Sequence, residues 1–451
     1  MSKLKDSMNS TISEQMPVPN RGSVTSFFSS PWIYIPAIYL LSGTIEGGPL
    51  QYGTAIMYKD MGYANSFIGY LSLLNIPILL SFLWAPYVDS WASKRKLSIL
   101  FLFLTGFITA LIAVTIHFSI FFTLTSLTAF LLLAVVYSFF KIAADGYYIR
   151  ILDPKQQAAF IGIKTSAIRV GIICAIAILI RMAGQINVSA ESKTAGWVWM
   201  YIILSILLFV GAVYNFFFLP KTVNDKAVKN PQGFALFAVL KEYLKQNKAV
   251  LLIIYILLCR LGEGVLVKMA DPFFMDPFEK GGLNMDIPSL TLVKSFAGFP
   301  CTIIGGIAGG WIIKKFGLKK TFLTLACCMS VPNLGYWYLA KTLPTAEIII
   351  LGQSLNRDMF SVVCIESLGY GIGFSAFFYY LHAMATGLNK TSLFAISSAL
   401  MGFGFYIPCA VSGLLQEAIG YPMLFLCSFL LAVPGIAMVK FLPMTVNNTE
   451  L

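Results

Sequence analysis

Twelve runs of mostly apolar residues divide this chain, near 31–57, 65–88, 97–117, 120–150, 157–183, 197–219, 249–276, 288–313, 320–340, 359–385, 392–416 and 421–441. A helix that crosses the hydrocarbon core of a bilayer needs ~20 such residues, because its backbone polar groups must be satisfied within the segment itself. The runs therefore predict an all-α membrane protein with twelve spanning helices. The charged share agrees: 12 % of the 451 residues, against ~25 % in an average soluble domain. Disorder and a small disulfide scaffold are excluded by the same composition.

The spacing of the runs predicts five regions. These are an N-terminal tail (1–30), a first six-helix bundle (31–219), a linker (220–248), a second six-helix bundle (249–441) and a C-terminal tail (442–451). The linker is the longest polar stretch and carries Lys221, Lys226, Lys229, Lys241, Lys245 and Lys248. The halves read as repeats. Ala85 is followed four residues on by Asp89 and then by Lys94-Arg95-Lys96; Gly310 is followed four residues on by Lys314 and then by Lys319-Lys320. Glu46 and Glu263 each lie about 15 residues into their half. Parallel six-helix repeats point to a transporter. The stretch 341–358 is too long for a tight turn and predicts an outer loop with a short interfacial or helical piece near 346–352.

The net charge of +12 reads as topology, not as a nucleic-acid footprint, since the basic residues sit mostly in short loops. With the N-terminus inside, 20 of the 32 Lys and Arg fall on the inner side and 6 on the outer, the rest lying within spans. That asymmetry predicts both termini in the cytoplasm. The first 26 residues lack an apolar core, so no cleavable signal peptide is expected. The eight Cys all lie in apolar runs and none forms CxxC, which predicts small buried hydrophobes. Two His, and no P-loop, HExxH or GxSxG motif, predict neither a metal site nor an enzyme, and no cofactor.

Ionisable groups inside a bilayer cost roughly 2.5–3.5 kcal/mol each on insertion scales and mark function or pairing. Eleven lie inside the runs: Glu46 in span 1, Lys141 and Asp145 in span 4, Lys164 and Arg169 in span 5, Arg260, Glu263, Lys268 and Asp271 in span 7, Lys294 in span 8 and Glu366 in span 10. The i,i+4 spacing predicts a Lys141–Asp145 pair and the i,i+3 spacing an Arg260–Glu263 pair. Glu46 and Glu366 have no opposite charge nearby in sequence, and a lone carboxylate there tends to hold a proton. An alternative for Glu46 is a partner across the bundle, Arg169 or Lys141. Glu46, Glu263 and Glu366 are each followed or flanked by glycines, which predicts either breakable helices or tight packing; packing is the better reading of Gly305-Gly306 and Gly309-Gly310. Glu46, Glu263, Glu366 and Asp145 are thus the candidate proton-coupling residues. Arg169, Arg260, Lys294 and Lys141 are candidate contacts for an anionic or polar cargo. Asp89, Arg95, Lys314 and Lys319 are candidate gates, or alternatively topology anchors.

Six stretches carry a resemblance: Glu46-Gly-Gly-Pro-Leu50, Phe82-Leu-Trp-Ala-Pro-Tyr-Val-Asp89, Ile142-Ala-Ala-Asp145-Gly-Tyr-Tyr148, Arg169-Val-Gly171, Gly305-Gly-Ile-Ala-Gly-Gly-Trp311 and Glu366-Ser-Leu-Gly-Tyr-Gly371. At these, from about residue 31 to 440, the chain resembles the AmpG-type muropeptide permeases of the major facilitator superfamily, in particular Bacteroidetes-like members. The resemblance implies an inner-membrane, proton-driven importer of anhydro-muropeptides, acting in peptidoglycan recycling, with helices 1, 4, 7 and 10 lining a central cavity. All four carry charge here, and helices 3, 6, 9 and 12 carry none in their apolar cores. Asp145, Arg169, Glu263, Lys294 and Glu366 match polar positions of the pattern. Two positions depart from it: Lys141 stands where the family commonly has Asp, and Ser81 where it commonly has Lys. Both lie in the implied pathway and bear on cargo and coupling. The expected partners are a small-molecule solute, membrane lipid and a proton gradient, with the protein a monomer. A permease for another solute (drug, siderophore or acyl-CoA) and a non-transporting membrane receptor are the alternatives.

Overall fold

The computed structural model describes residues 30–118, 121–221, 244, 249–350, 352–384 and 390–443; within these, the side chains of 86, 87, 89, 90, 154, 155, 158, 159 and 390–395 are not described. Contiguous helical elements form twelve rods: α1 (31–60), α2 (65–91, with a turn at Leu80), α3 (Lys94–Phe118), α4 (Phe122–Ile151), α5 (154–189), α6 (Ala195–Phe218), α7 (Ala249–Met275), α8 (287–316), α9 (318–342), α10 (Arg357–Met384), α11 (390–419) and α12 (421–441). Nine helical stretches among the described residues are long and apolar enough to cross a membrane. One of these, Ile396–Phe441, spans both α11 and α12, which part at Gly420 (φ 73°). The positive φ is the reason for a glycine at that corner. The remaining rods, α1 and α9, are interrupted by a π turn and a 3₁₀ turn.

The stretch after α9 is not helical. It folds as an antiparallel hairpin of β1 (Glu347–Ile350) and β2 (Gln353–Asn356), with Ile350 paired to Gln353 and Glu347 to Asn356. Of the expected interfacial or helical piece near 346–352, the helical alternative is therefore corrected: the segment is a strand pair. Three consecutive β-branched isoleucines favour strand, and Gly352 at φ 77° supplies the turn.

Backbone-close contacts at glycines set the packing. Gly43 of α1 lies against the Ile168 carbonyl of α5, and Gly171 of α5 against the Leu40 carbonyl. Gly305 and Gly309 of α8 meet the Leu368 and Ile372 carbonyls of α10, while Gly369 and Gly373 of α10 meet the Cys328 and Leu325 carbonyls of α9. Small residues allow this approach, which supplies the van der Waals contact that drives helix association in lipid.

The two halves touch toward one end. Call the end where α6 stops and α7 starts the linker side, and the opposite end the far side. On the far side α2 crosses α11, with Gly69 against the Ala410 carbonyl and Gly413 against the Asn65 carbonyl; α5 crosses α8, with Gly184 against Ile287 and Pro288. The α2–α11 contact reaches inward to Leu79 and Gly402. The linker-side portions Ser81–Trp91, Pro154–Cys174 and Phe299–Phe316 pack on α4, α1 and α10 of their own halves. A separate apolar core, including Tyr255, Phe322, Phe377 and Tyr380, fills the linker-side end of the second half. The halves thus close at the far side and part toward the linker side.

Gly171→Leu places a side chain into the α1 backbone, and overpacking of this kind costs about 1–3 kcal/mol or more. Gly310 has open space around it, so Gly310→Ala is expected to be neutral or to stabilise by up to ~1 kcal/mol. Thermal unfolding of the detergent-purified protein checks both.

Candidate functional site

Three π turns mark the middle of the molecule: Glu46–Tyr52 in α1, Ala175–Ile180 in α5 and Lys294–Gly298 in α8. That of α5 adjoins the other two. In α1 the cause is Pro49, which has no N–H and clashes with the preceding turn; its carbonyl accepts from Thr54 instead. In α8 the π turn comes just before Pro300. π turns open the backbone ladder and recur at functional sites. By contrast, α7 and α10 run regularly through Glu263 and Glu366. Their flanking glycines are packing contacts: Gly262 meets the Ser428 carbonyl and Gly264 the Phe405 carbonyl. Of the three glycine-flanked carboxylates, only Glu46 lies in irregular backbone.

Near the linker side, Asp145 accepts from Lys164 Nζ at 2.6 Å and from Tyr39 Oη at 2.8 Å. The Lys164 ammonium also lies 4.7 Å from the Tyr39 ring centre and 4.9 Å from that of Tyr148. The expected i,i+4 pairing of Asp145 with Lys141 is therefore corrected. The partner comes from α5, where two aromatic faces add cation–π attraction. Tyr137, Lys141 and Asp145 share one face of α4 by their spacing. Tyr137 bonds to Ser42 at 2.9 Å and donates to Glu46 Oε2 at 3.3 Å. Lys141 sits between these bonded groups and forms no hydrogen bond or ion pair among the described residues.

Glu46 accepts its second bond from Gln51 Nε2 at 3.1 Å. Both of its donors are neutral, and neither Arg169 nor Lys141 reaches it. Arg169 lies about 100° round α5 from Ile168, off the α1-packing face, and is exposed and without a partner among the described residues. The Asp145 side chain is 37 % exposed. Charged groups are costly against lipid tails, so this exposure points to water beside Asp145.

In the second half, Arg260 Nη1 bonds Glu263 Oε2 at 2.6 Å, both residues being buried, and reaches Tyr370 Oη at 3.3 Å. The guanidinium also faces the Phe405 ring at 4.7 Å. Nearer the far side, Lys294 pairs with Asp271 and lies 4.3 Å over the Tyr52 ring of α1, a contact between the halves. Glu366 is buried and among the described residues accepts one hydrogen bond, from Ser367 at 3.3 Å. Lys268 has no hydrogen bond or ion pair among the described residues.

The loop candidates divide. Arg95 donates from Nε to the Leu219 carbonyl at 2.7 Å and from Nη2 to the Phe216 carbonyl, capping the last turn of α6 where cations suit the helix dipole. Lys314 and Lys319 are exposed on the linker side. Asp89 lies outside the described side chains.

Sequence reasoning missed a far-side cluster. Lys59, near the end of α1, pairs with Asp276 at 2.6 Å across the halves, and Asn65, Gln416 and Tyr421 surround the pair. Its signal in sequence was one Lys and one Asp, each beside a span end, with no periodicity to join them.

Two packed helical halves, closed at one end over a charged cleft, define a membrane transporter. The chain belongs to the major facilitator superfamily, whose family model matches residues 37–385. Its relatives are AmpG-type permeases. The "Anhydromuropeptide permease" of Escherichia coli (strain K12) is 25 % identical over 429 residues, covering 92 % of this chain and 81 % of that protein. The "Putative transporter AmpG 2" of Rickettsia typhi is 22 % identical, covering 91 % and 93 %. Among solved structures, a bacterial homolog of the human lysosomal transporter Spinster, in an inward-facing and unoccupied conformation, matches with a TM-score of 0.66 at 13 % identity, over 93 % of this chain and 97 % of that one. A D-xylose–proton symporter matches with a TM-score of 0.64 at 12 % identity, over 92 % and 98 %. These last two share the fold.

Arg260→Gln strands a buried Glu263 carboxylate and is expected to cost about 3–5 kcal/mol, whereas removing both charges together costs less. Thermal unfolding of Arg260→Gln and of Arg260→Gln/Glu263→Gln in detergent checks the order.

Proposed function

We propose that this protein is a proton-coupled importer of anhydro-muropeptide-like solutes across the bacterial inner membrane. The observation that carries the reading is how the intramembrane charges divide. Asp145–Lys164, Arg260–Glu263 and Asp271–Lys294 are tied to each other. Among the described residues Lys141, Arg169 and Lys268 form no ion pair, and the hydrogen bonds to Glu46 and Glu366 come from neutral donors. An anionic solute needs free cations. A proton carrier needs a carboxylate that no fixed cation holds ionised.

In this reading Lys141 and Arg169 hold the anionic part of the cargo in the cleft, and Arg260 and Lys294 shape the site while bound to their own carboxylates. Glu46 and Glu366 carry the protons; Glu263 and Asp145 fix the cations beside them. The halves 31–219 and 249–441 are the moving bodies, joined by the cytoplasmic linker 220–248. The positive-inside asymmetry puts the linker side and both termini in the cytoplasm, so the conformation described is the inward-open one from which an importer releases cargo. The protein works as a monomer.

Uptake of labelled anhydro-muropeptide into proteoliposomes, with and without an inward proton gradient, tests this. The wild type is expected to accumulate cargo only with the gradient. Glu46→Gln or Glu366→Gln is expected to abolish gradient-driven accumulation while sparing cargo exchange. Lys141→Gln or Arg169→Gln is expected to raise the transport KM tenfold or more. Accumulation of a different solute class points to another permease, and binding without accumulation points to a receptor.

A further inference from the structure

On the far side, one buried ion pair joins the halves. Lys59 Nζ, in the last turn of α1, lies 2.6 Å from Asp276 Oδ1, just beyond α7, and the side chains are 10 % and 6 % exposed. Lys59 also donates to Asn65 Oδ1 at 2.6 Å. The Asn65 amide, at the start of α2, donates across the halves to Gln416 at 2.7 Å and to the Tyr421 hydroxyl at 2.8 Å. Tyr421 in turn donates to Asp276 Oδ2 at 2.5 Å, and the Ser66 amide donates to Glu417 at 2.8 Å. Lys59, Asn65 and Ser66 belong to the first half; Asp276, Gln416, Glu417 and Tyr421 belong to the second.

The glycine crossings explain why this cluster forms where it does. Gly413 admits the Asn65 carbonyl against the α11 backbone, and Gly69 admits the Ala410 carbonyl. With the backbones that close, Asn65 reaches two partners on α11 and α12. The matching α5–α8 crossing is apolar, Gly184 on Ile287 and Pro288. Far-side closure is therefore polar on one flank and apolar on the other.

Separating the halves here strips Asp276 of Lys59 and of the Asn65 amide, which donates to its Oδ2 at 3.1 Å, and leaves Tyr421, from its own half, as its side-chain donor among the described residues. A buried charge that loses its partner is strongly unfavourable unless water replaces it. Water has a route: Lys59, Asn65, Asp276, Gln416 and Glu417 all line a cavity of about 1000 Å³ on the far side. A solute arriving from that side meets this pair before it reaches the cleft.

We propose that the Lys59–Asp276 pair, positioned by Asn65 and Tyr421, is the latch that holds the far side shut, and that the cavity above it is where water and incoming solute release it. The inference rests on the chain alternating between two conformations as a transporter, but not on which solute it carries.

The test is the distance between spin labels on the far-side ends of the two halves, at Val188 and Glu279, in a cysteine-depleted full-length protein in liposomes. Lys59→Gln and Asp276→Asn are each expected to raise the far-side-open population tenfold or more. The swap Lys59→Asp/Asp276→Lys is expected to return it toward wild type, and Tyr421→Phe, which keeps the ion pair, to shift it less than either single variant. Unchanged distances in correctly folded Lys59→Gln and Tyr421→Phe overturn the latch, as does a swap that opens as far as the singles. If Asp276→Asn does not fold, Lys59→Gln, Tyr421→Phe and the swap decide. Opening of the variants in a protein that transports no muropeptide refutes the cargo assignment and leaves the latch standing.

Discussion

The need to neutralise or hydrate every charge in a bilayer organises this molecule. Three ion pairs cancel six of the eleven intramembrane charges, and each joins groups that packing has brought together: α4 with α5, α7 with α8, and one turn of α7 with itself. The five that stay unpaired are not scattered. Glu46 and Lys141 lie on the facing sides of α1 and α4, Arg169 is exposed on α5, and Lys268 and Glu366 face the Asp271–Lys294 pair. Leaving such groups uncancelled is tolerable only beside water or a ligand, which is why the unpaired set carries the proposed transport path.

Helix packing decides at which end the halves touch. Where glycines let backbones touch, at Gly69 and Gly413 and at Gly184, the halves hold together. Toward the linker side the same helices turn to partners in their own half. The π turns of α1, α5 and α8 lie between these regimes. Tyr52 of the α1 turn meets Lys294 of the α8 turn across the halves, so irregular backbone in the middle of two spans sits at a contact between the halves.

Much of the architecture was legible because bilayer thickness imposes a length on each span, and length is a one-dimensional property. The spans expected near 31–57 and 249–276 appear as helices at 31–60 and Ala249–Met275. The packing role of Gly305 and Gly309 and the short-range Arg260–Glu263 pair were also readable, since both follow from spacing on one helix. The Asp145 partner was not. Spacing offered Lys141, and α5 supplied Lys164 with Tyr39 and Tyr148 beneath it, a choice made by helix–helix approach. The hairpin at 347–356 escaped because a short isoleucine run fits strand and helix alike without its turn glycine in view.

The sequence by itself determined the membrane class, the helix positions, the resemblance to its family and which helices carry charge, because each depends on hydrophobicity and spacing along one chain. Only the tertiary structure decided which charges cancel, which remain available, and where the halves lock. Lys59 and Asp276 illustrate the reason: each is an unremarkable residue near a span end until the Gly413 crossing brings α1, α2, α7, α11 and α12 to one point.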